Sequence, residues 1–167
     1  MKIDECKNIV LIGMPGCGKT TVGRILAEIL KYEFCDIDNY IEENEDTTIN
    51  EIFNRGEEVF RDIESRYISQ ICKKEHCIIS TGGGVIKREE NIINLKSNGV
   101  IFFIDRPIDN ILGDIDIESR PLLKDKKEKI YRLYEERYNI YINCCNVKIV
   151  NNKSMEDIIK EIKTYLI

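Results

Sequence analysis

The chain has a single histidine, His76, and no C-x-x-C pair among its seven cysteines. A zinc site is therefore poorly supported, since His76 has neither a second histidine nor a metal-spaced cysteine pair around it. Cys6, Cys17, Cys35, Cys72, Cys77, Cys144 and Cys145 are odd in number and mostly sit inside apolar runs. They read as buried, reduced thiols of a cytosolic protein. No apolar run reaches membrane-spanning length, and the N-terminal MKIDECKNIVLIG lacks the basic region, long apolar stretch and cleavage site of a secretory signal. A cytoplasmic location without a membrane partner is the expectation. Positive charge is also short: 25 Lys and Arg against 30 Asp and Glu give a formal net charge of -5. The basic residues are scattered, which argues against a nucleic-acid-binding surface. Internal repeats and low-complexity linkers are missing too.

What is present suits one domain. A chain of 167 residues with 43% hydrophobic content can bury one core but is short for two domains of typical size. Short apolar runs with the content of buried strands occur at Asn8 to Ile12, Phe34 to Ile37, Cys77 to Ser80, Val100 to Ile104 and Val147 to Val150. Helical spacing separates them: Val22, Ile25, Leu26 and Ile29 share one face, as do Ile158, Ile159, Ile162 and Leu166. Thr48 with Glu51, and Ser154 with Asp157, have the spacing of capping boxes. Strands alternating with helices imply an α/β protein with a parallel sheet, whose ligands collect beyond the carboxyl ends of the strands. The stretch from Gly113 to Lys129, polar and containing a proline, reads as a mobile excursion.

Residues 13 to 20, GMPGCGKT, match G-x-x-x-x-G-K-[ST] between a predicted strand and a predicted helix. Without side chains, successive backbone N–H groups can surround phosphate oxygens, helped by the positive end of the helix. Lys19 then reaches the outer phosphates and Thr20 offers a hydroxyl to Mg²⁺. An ordinary glycine turn is the weaker reading in this context. Cys17 is either a small filler or a thiol activated by the helix N-terminus.

Other strand ends carry further chemistry. In CDID, an extended segment would point Asp36 and Asp38 to the same side, where a cation or a proton must relieve their repulsion. Asp36 beside Mg²⁺ with Asp38 beside a substrate hydroxyl satisfies this; so does Asp38 as a helix N-cap. Gly82, Gly83 and Gly84 in STGGGV suggest a backbone that must approach a ligand closely, against the alternative of a flexible loop. In GEEVFRDIES, Arg61 and Glu64 share a helix face and have two readings, a solvated surface pair or a site pair. Arg132 and Arg137 point well apart at helical pitch, so at most one faces a given pocket.

In order, GMPGCGKT, DID, GEEVFRDIE, TGGG, RPLL and ERYNIY resemble the shikimate kinase family from end to end. Adenylate and gluconate kinases share only the first of these. The resemblance implies a nucleoside-monophosphate-kinase-like P-loop fold: one domain over 1–167, a five-stranded parallel sheet flanked by helices, a substrate-binding helical region at about 38–65 and a lid at about 112–126. It implies phosphoryl transfer from ATP to the 3-hydroxyl of shikimate by a monomer that uses Mg²⁺. ATP would be held by Gly16, Cys17, Gly18, Lys19, Thr20, Thr21 and Arg120, with Lys19 and Arg120 also acting on the transferring group. Asp38 would bind the acceptor hydroxyl as candidate base, Arg61 and Arg137 the carboxylate, the Gly82 to Gly84 backbone the ring substituents, and Glu64 would orient Arg61 and the adjoining hydroxyls. Thr20 would bind Mg²⁺ directly, Asp36 and Ser80 through water. One departure stands out. Where the family often has a basic residue near adenine, before the lid arginine, this chain has Gly113 with Asp114, Asp116 and Glu118. The rivals are a related P-loop kinase acting on another polyhydroxylated acid, and a nucleotide-binding module that transfers nothing.

Overall fold

Strand β1 (Asn8–Ile12) is buried at every position, as a strand covered on both faces must be. Each fully buried Ile, Leu or Val contributes about 1.5–3 kcal/mol relative to exposure. Its one polar residue is satisfied: Asn8 Nδ2 donates to the Lys74 carbonyl at 2.9 Å and Oδ1 accepts from the Cys77 N–H at 3.0 Å. The computed structural model describes residues 8–114 and 123–166, with only the backbone between 123 and 126.

After β1 come α1 (Lys19–Leu30), β2 (Glu33–Asp36), α2 (Ile37–Glu45), α3 (Ile49–Arg55), α4 (Glu57–Ile71) and β3 (Cys77–Ser80). A 3₁₀ turn (Val85–Lys87) leads into α5 (Glu89–Ser97), β4 (Gly99–Asp105), α6 (Ile108–Gly113), α7 (Leu123–Cys144), β5 (Val147–Val150) and α8 (Met155–Thr164). The five strands form an all-parallel sheet in the order β2-β3-β1-β4-β5. The connection after β1 runs toward one edge and the connection after β3 toward the other. Right-handed crossovers therefore put α1 and α5 on opposite faces and open a crevice beyond the carboxyl ends of β1 and β3. Both the phosphate loop and the triple-glycine loop emerge there.

The expected strands coincide with the observed ones except at two places. β4 is longer by one residue at each end. β2 begins one residue earlier, at Glu33, and stops at Asp36, because the Asp36 side chain accepts from the backbone N–H of Asp38 and Asn39 at 3.2 and 3.5 Å and so caps α2. Asp38 consequently stands in the first turn of a helix rather than in an extended segment, and the N-cap is Asp36. The Thr48–Glu51 capping box forms, and Ser154 Oγ accepts from Asp157 N–H. On α1, Val22 and Leu26 are buried but Ile29 is exposed; Gly23 and Ala27 complete the buried stripe instead. Part of the expected excursion is helical, since α7 begins at Leu123. Among the described residues, no helix is long and apolar enough to cross a membrane.

Candidate active site

The phosphate loop is shaped by left-handed glycines and by donors that occupy its carbonyls. Gly13, Gly16 and Gly18 have φ of 146°, 77° and 100°, a region side chains disfavour. A Cβ on Gly13 would lie 2.6 Å from the Ile104 carbonyl. Lys19, itself buried, donates from Nζ to the Gly13 and Met14 carbonyls at 2.9 Å each. Arg106 Nη1 donates to the Gly16 carbonyl at 3.0 Å and Asn151 Nδ2 to that of Cys17 at 2.8 Å. With its carbonyls engaged in this way, the loop has N–H groups to offer an anion at the start of α1. Cys17 is fully buried, which favours its reading as a filler; its Sγ lies 3.6 Å from Lys19 Nζ.

A cavity of about 390 Å³ opens beside Pro15 of this loop. Asp38, Glu64, Gly82 to Gly84, Arg61 and Arg137 line it. Arg61 and Glu64, three residues apart on α4, are 6% and 0% exposed and joined Nη1 to Oε2 at 2.6 Å. The surface-pair reading is overturned, because Phe53 of α3 and the Gly82 to Gly84 loop lie against these two side chains. Two carboxylate oxygens, Asp38 Oδ1 and Glu64 Oε1, are buried without a hydrogen-bond partner. Both lie next to Gly82, where a Cβ would sit 3.1 and 3.4 Å from them. A Cβ on Gly84 would meet Arg61 Nη2 at 2.1 Å. Burial raises the Asp38 carboxyl above its ordinary value, helped by the charge of Asp36 and opposed by Lys19 and Arg61. Glu64 is raised too, by burial, with Arg61 opposing.

The opposite wall is α7. Its rotation is fixed by Tyr138, which donates to Asp105 Oδ2 at 3.0 Å, and by fully buried Tyr141, which donates to the Gly83 carbonyl at 2.5 Å. Tyr141 also stacks on Phe103 with ring centroids 5.1 Å apart and stands beside the charge of Arg137, one turn earlier. Burial pushes its phenol to about 12, so it stays a neutral partner and leaves the charge of Arg137 uncancelled. Arg137 thus faces the cavity while Arg132 is exposed elsewhere.

A phosphate loop, two guanidiniums and two unpartnered carboxylate oxygens in one crevice can be compared with known proteins. Residues 15–166 match the family model described as shikimate kinase. The shikimate kinase of Clostridium botulinum (strain Eklund 17B / Type B) is 50% identical over 159 residues, covering 95% of this chain and 96% of that protein. The chain belongs to the shikimate kinase family. The shikimate kinase of Clostridium beijerinckii is 51% identical over 159 residues, covering 95% and 94% of the two chains. A solved structure of shikimate kinase from Acinetobacter baumannii in complex with shikimate is similar with a TM-score of 0.86 and 33% identity, covering 95% of this chain and 91% of that one. The five-stranded parallel sheet flanked by helices is the architecture of shikimate kinases.

At the nucleotide end of this shikimate kinase fold, Thr20 Oγ1 donates to Asp36 Oδ2 at 2.9 Å and lies 3.5 Å from Ser80 Oγ. These are hard oxygen donors, and no cluster of three or more His, Cys, Asp or Glu capable of holding a metal occurs among the described residues. Such a set suits Mg²⁺, which takes one or two protein ligands and completes its shell from phosphate and water. Thr21 is exposed in the first turn of α1. Arg120, Asp116 and Glu118 lie outside the described residues. Asp114, by contrast, pairs with Arg106 at 2.6 Å, which ties the entry of the acidic stretch to the phosphate loop. Sequence reading missed Arg106, Tyr141 and Asn151. Only Tyr141 left a local signal, its spacing of four from Arg137.

Proposed function

We propose that the protein transfers the γ-phosphoryl group of ATP to the 3-hydroxyl of shikimate, giving shikimate 3-phosphate and ADP on the route to chorismate and the aromatic amino acids. The observation that carries this reading is the pair of unpartnered oxygens, Asp38 Oδ1 and Glu64 Oε1, opposite Arg61 and Arg137. Buried carboxylate oxygens need hydroxyl donors, and guanidiniums accept a carboxylate in two parallel hydrogen bonds. A polyhydroxylated carboxylic acid supplies both.

In this reading Asp38 takes the proton of the acceptor hydroxyl as its oxygen forms the bond to phosphorus and the bond to the ADP oxygen breaks. Glu64 and the Gly82 to Gly84 backbone orient the ring. Gly16 to Thr21 hold the triphosphate, and Lys19 and Arg120 offset charge on the transferring group. Thr20, with Asp36 and Ser80 through water, would hold Mg²⁺, which would offset negative charge on the transferring phosphate. Residues 38–65 serve as the acceptor-binding region and about 112–126 as a lid that excludes water. The buried free thiols of Cys35, Cys72 and Cys77 suit a reducing cytoplasm.

A coupled ADP-release assay across shikimate, quinate, gluconate and AMP tests the substrate. Turnover with shikimate is expected; turnover with another acceptor and none with shikimate rejects it, and ATP binding without any acceptor-stimulated transfer indicates a binding module. Arg137→Lys keeps the charge but loses the planar fork, so KM for shikimate is expected to rise about tenfold with KM for ATP unchanged. Unaltered shikimate kinetics remove Arg137 from the pocket.

A further inference from the structure

Arg61 presents two edges to the cavity, and they are occupied differently. Nη1 is bound to buried Glu64. The other edge, Nε with Nη2, is the fork that fits a carboxylate side-on. In this structure both of its N–H groups converge on one oxygen, Glu57 Oε1, at 3.4 and 3.3 Å. The same oxygen accepts from Lys87 Nζ at 2.5 Å, a far shorter contact. Glu57 and Lys87 are 45% and 44% exposed, at the mouth of the cavity they both line.

An acidic side chain therefore sits on the edge that an organic carboxylate would use, held there loosely and drawn outward by a lysine. We infer that Glu57 competes intramolecularly for the carboxylate-binding edge of Arg61, and that Lys87 restrains it, so that this pair sets the affinity of the pocket for its acid. The inference rests on the reading of Arg61 and Arg137 as the carboxylate clamp. Two carboxylates cannot share one guanidinium edge without repulsion unless a second cation neutralises one of them, and Lys87 is placed to do so. Without Lys87, Glu57 has only Arg61 as partner and blocks the fork. Without the Glu57 charge, the fork is open from the start.

The test is a kinetic cycle of Glu57→Gln, Lys87→Met and the double variant, with Arg137→Lys alongside and thermal melts to establish folding. Glu57→Gln is expected to lower KM for shikimate by about two- to fivefold, the scale of a half-exposed ion pair, with kcat and KM for ATP unchanged. Lys87→Met raises KM for shikimate by a similar factor. The double variant matches Glu57→Gln, because Lys87 acts only through Glu57. A higher KM in Glu57→Gln makes Glu57 an aid to binding and overturns the inference, as does a Lys87→Met effect that persists without Glu57. If Glu57 and Lys87 variants are both neutral while Arg137→Lys weakens binding, the competition is refuted and the clamp stands. If all are neutral, the clamp itself is refuted.

Discussion

Asp38→Asn is expected to lower shikimate-dependent turnover by about 10²- to 10⁴-fold while ATP still binds. The substitution keeps size and shape, but replaces an oxygen that can take a proton with an amide that cannot. Asp38 Oδ1 is buried, unpartnered and beside Gly82. Burial, and then the charge of Asp36, raise its carboxyl above the ordinary value of 3.8. As pH falls through this raised value Asp38 gains a proton and can no longer accept one, so turnover drops on acidification sooner than an ordinary aspartate dictates. The acidic limb of kcat/KM is expected at higher pH than an ordinary aspartate would place it, and it disappears in Asp38→Asn. Undiminished turnover in the variant excludes Asp38 as base.

Arg61→Leu carries the largest expected effect on stability, about 3–5 kcal/mol, because it strands Glu64, which is 0% exposed, without its cation. Arg61 also lies over the rings of Phe60 and Phe53, 5.0 and 5.8 Å from their centroids, so packing is lost as well as charge. The deficit should depend on pH. Glu64 has a raised carboxyl even with Arg61 opposing the rise; without Arg61 it rises further. A carboxyl whose pKa is higher folded than unfolded stabilises fully below the unfolded value, and that contribution is lost as pH climbs through the folded one. The gap between Arg61→Leu and wild type therefore widens in denaturant titrations as pH rises above the ordinary carboxyl value of 4.5. Adding Glu64→Leu restores much of the stability and none of the shikimate turnover. A loss below about 1 kcal/mol, the range of exposed pairs, shows the pair to be energetically superficial.

The fold was legible because each strand is a short β-branched run bounded by turn residues, and the phosphate loop because its motif is local. β2 was misjudged by one residue at each end: polar Glu33 was left out of the run, and Ile37, an apolar residue that extends it by composition, is assigned to α2 by the Asp36 cap. The burial of Arg61 and Glu64 was not legible: spacing on α4 puts them on one face, and only packing of neighbouring elements decides whether water reaches that face. Contacts between elements distant in sequence were beyond reach for the same reason. Glu57 meets Lys87 thirty residues away, and no periodicity encodes such a pairing.

Asn151 couples the end of the chain to its beginning. Its side chain holds the Cys17 carbonyl across 134 residues, and its backbone N–H binds the Asp105 carbonyl at 2.8 Å. During synthesis the signature GMPGCGKT leaves the ribosome early, yet its geometry is finished only when β5 docks beside β4. A nascent or truncated chain ending before residue 151 therefore displays the motif without a completed anion cradle. The loop gains this last support only when almost the whole domain has been made.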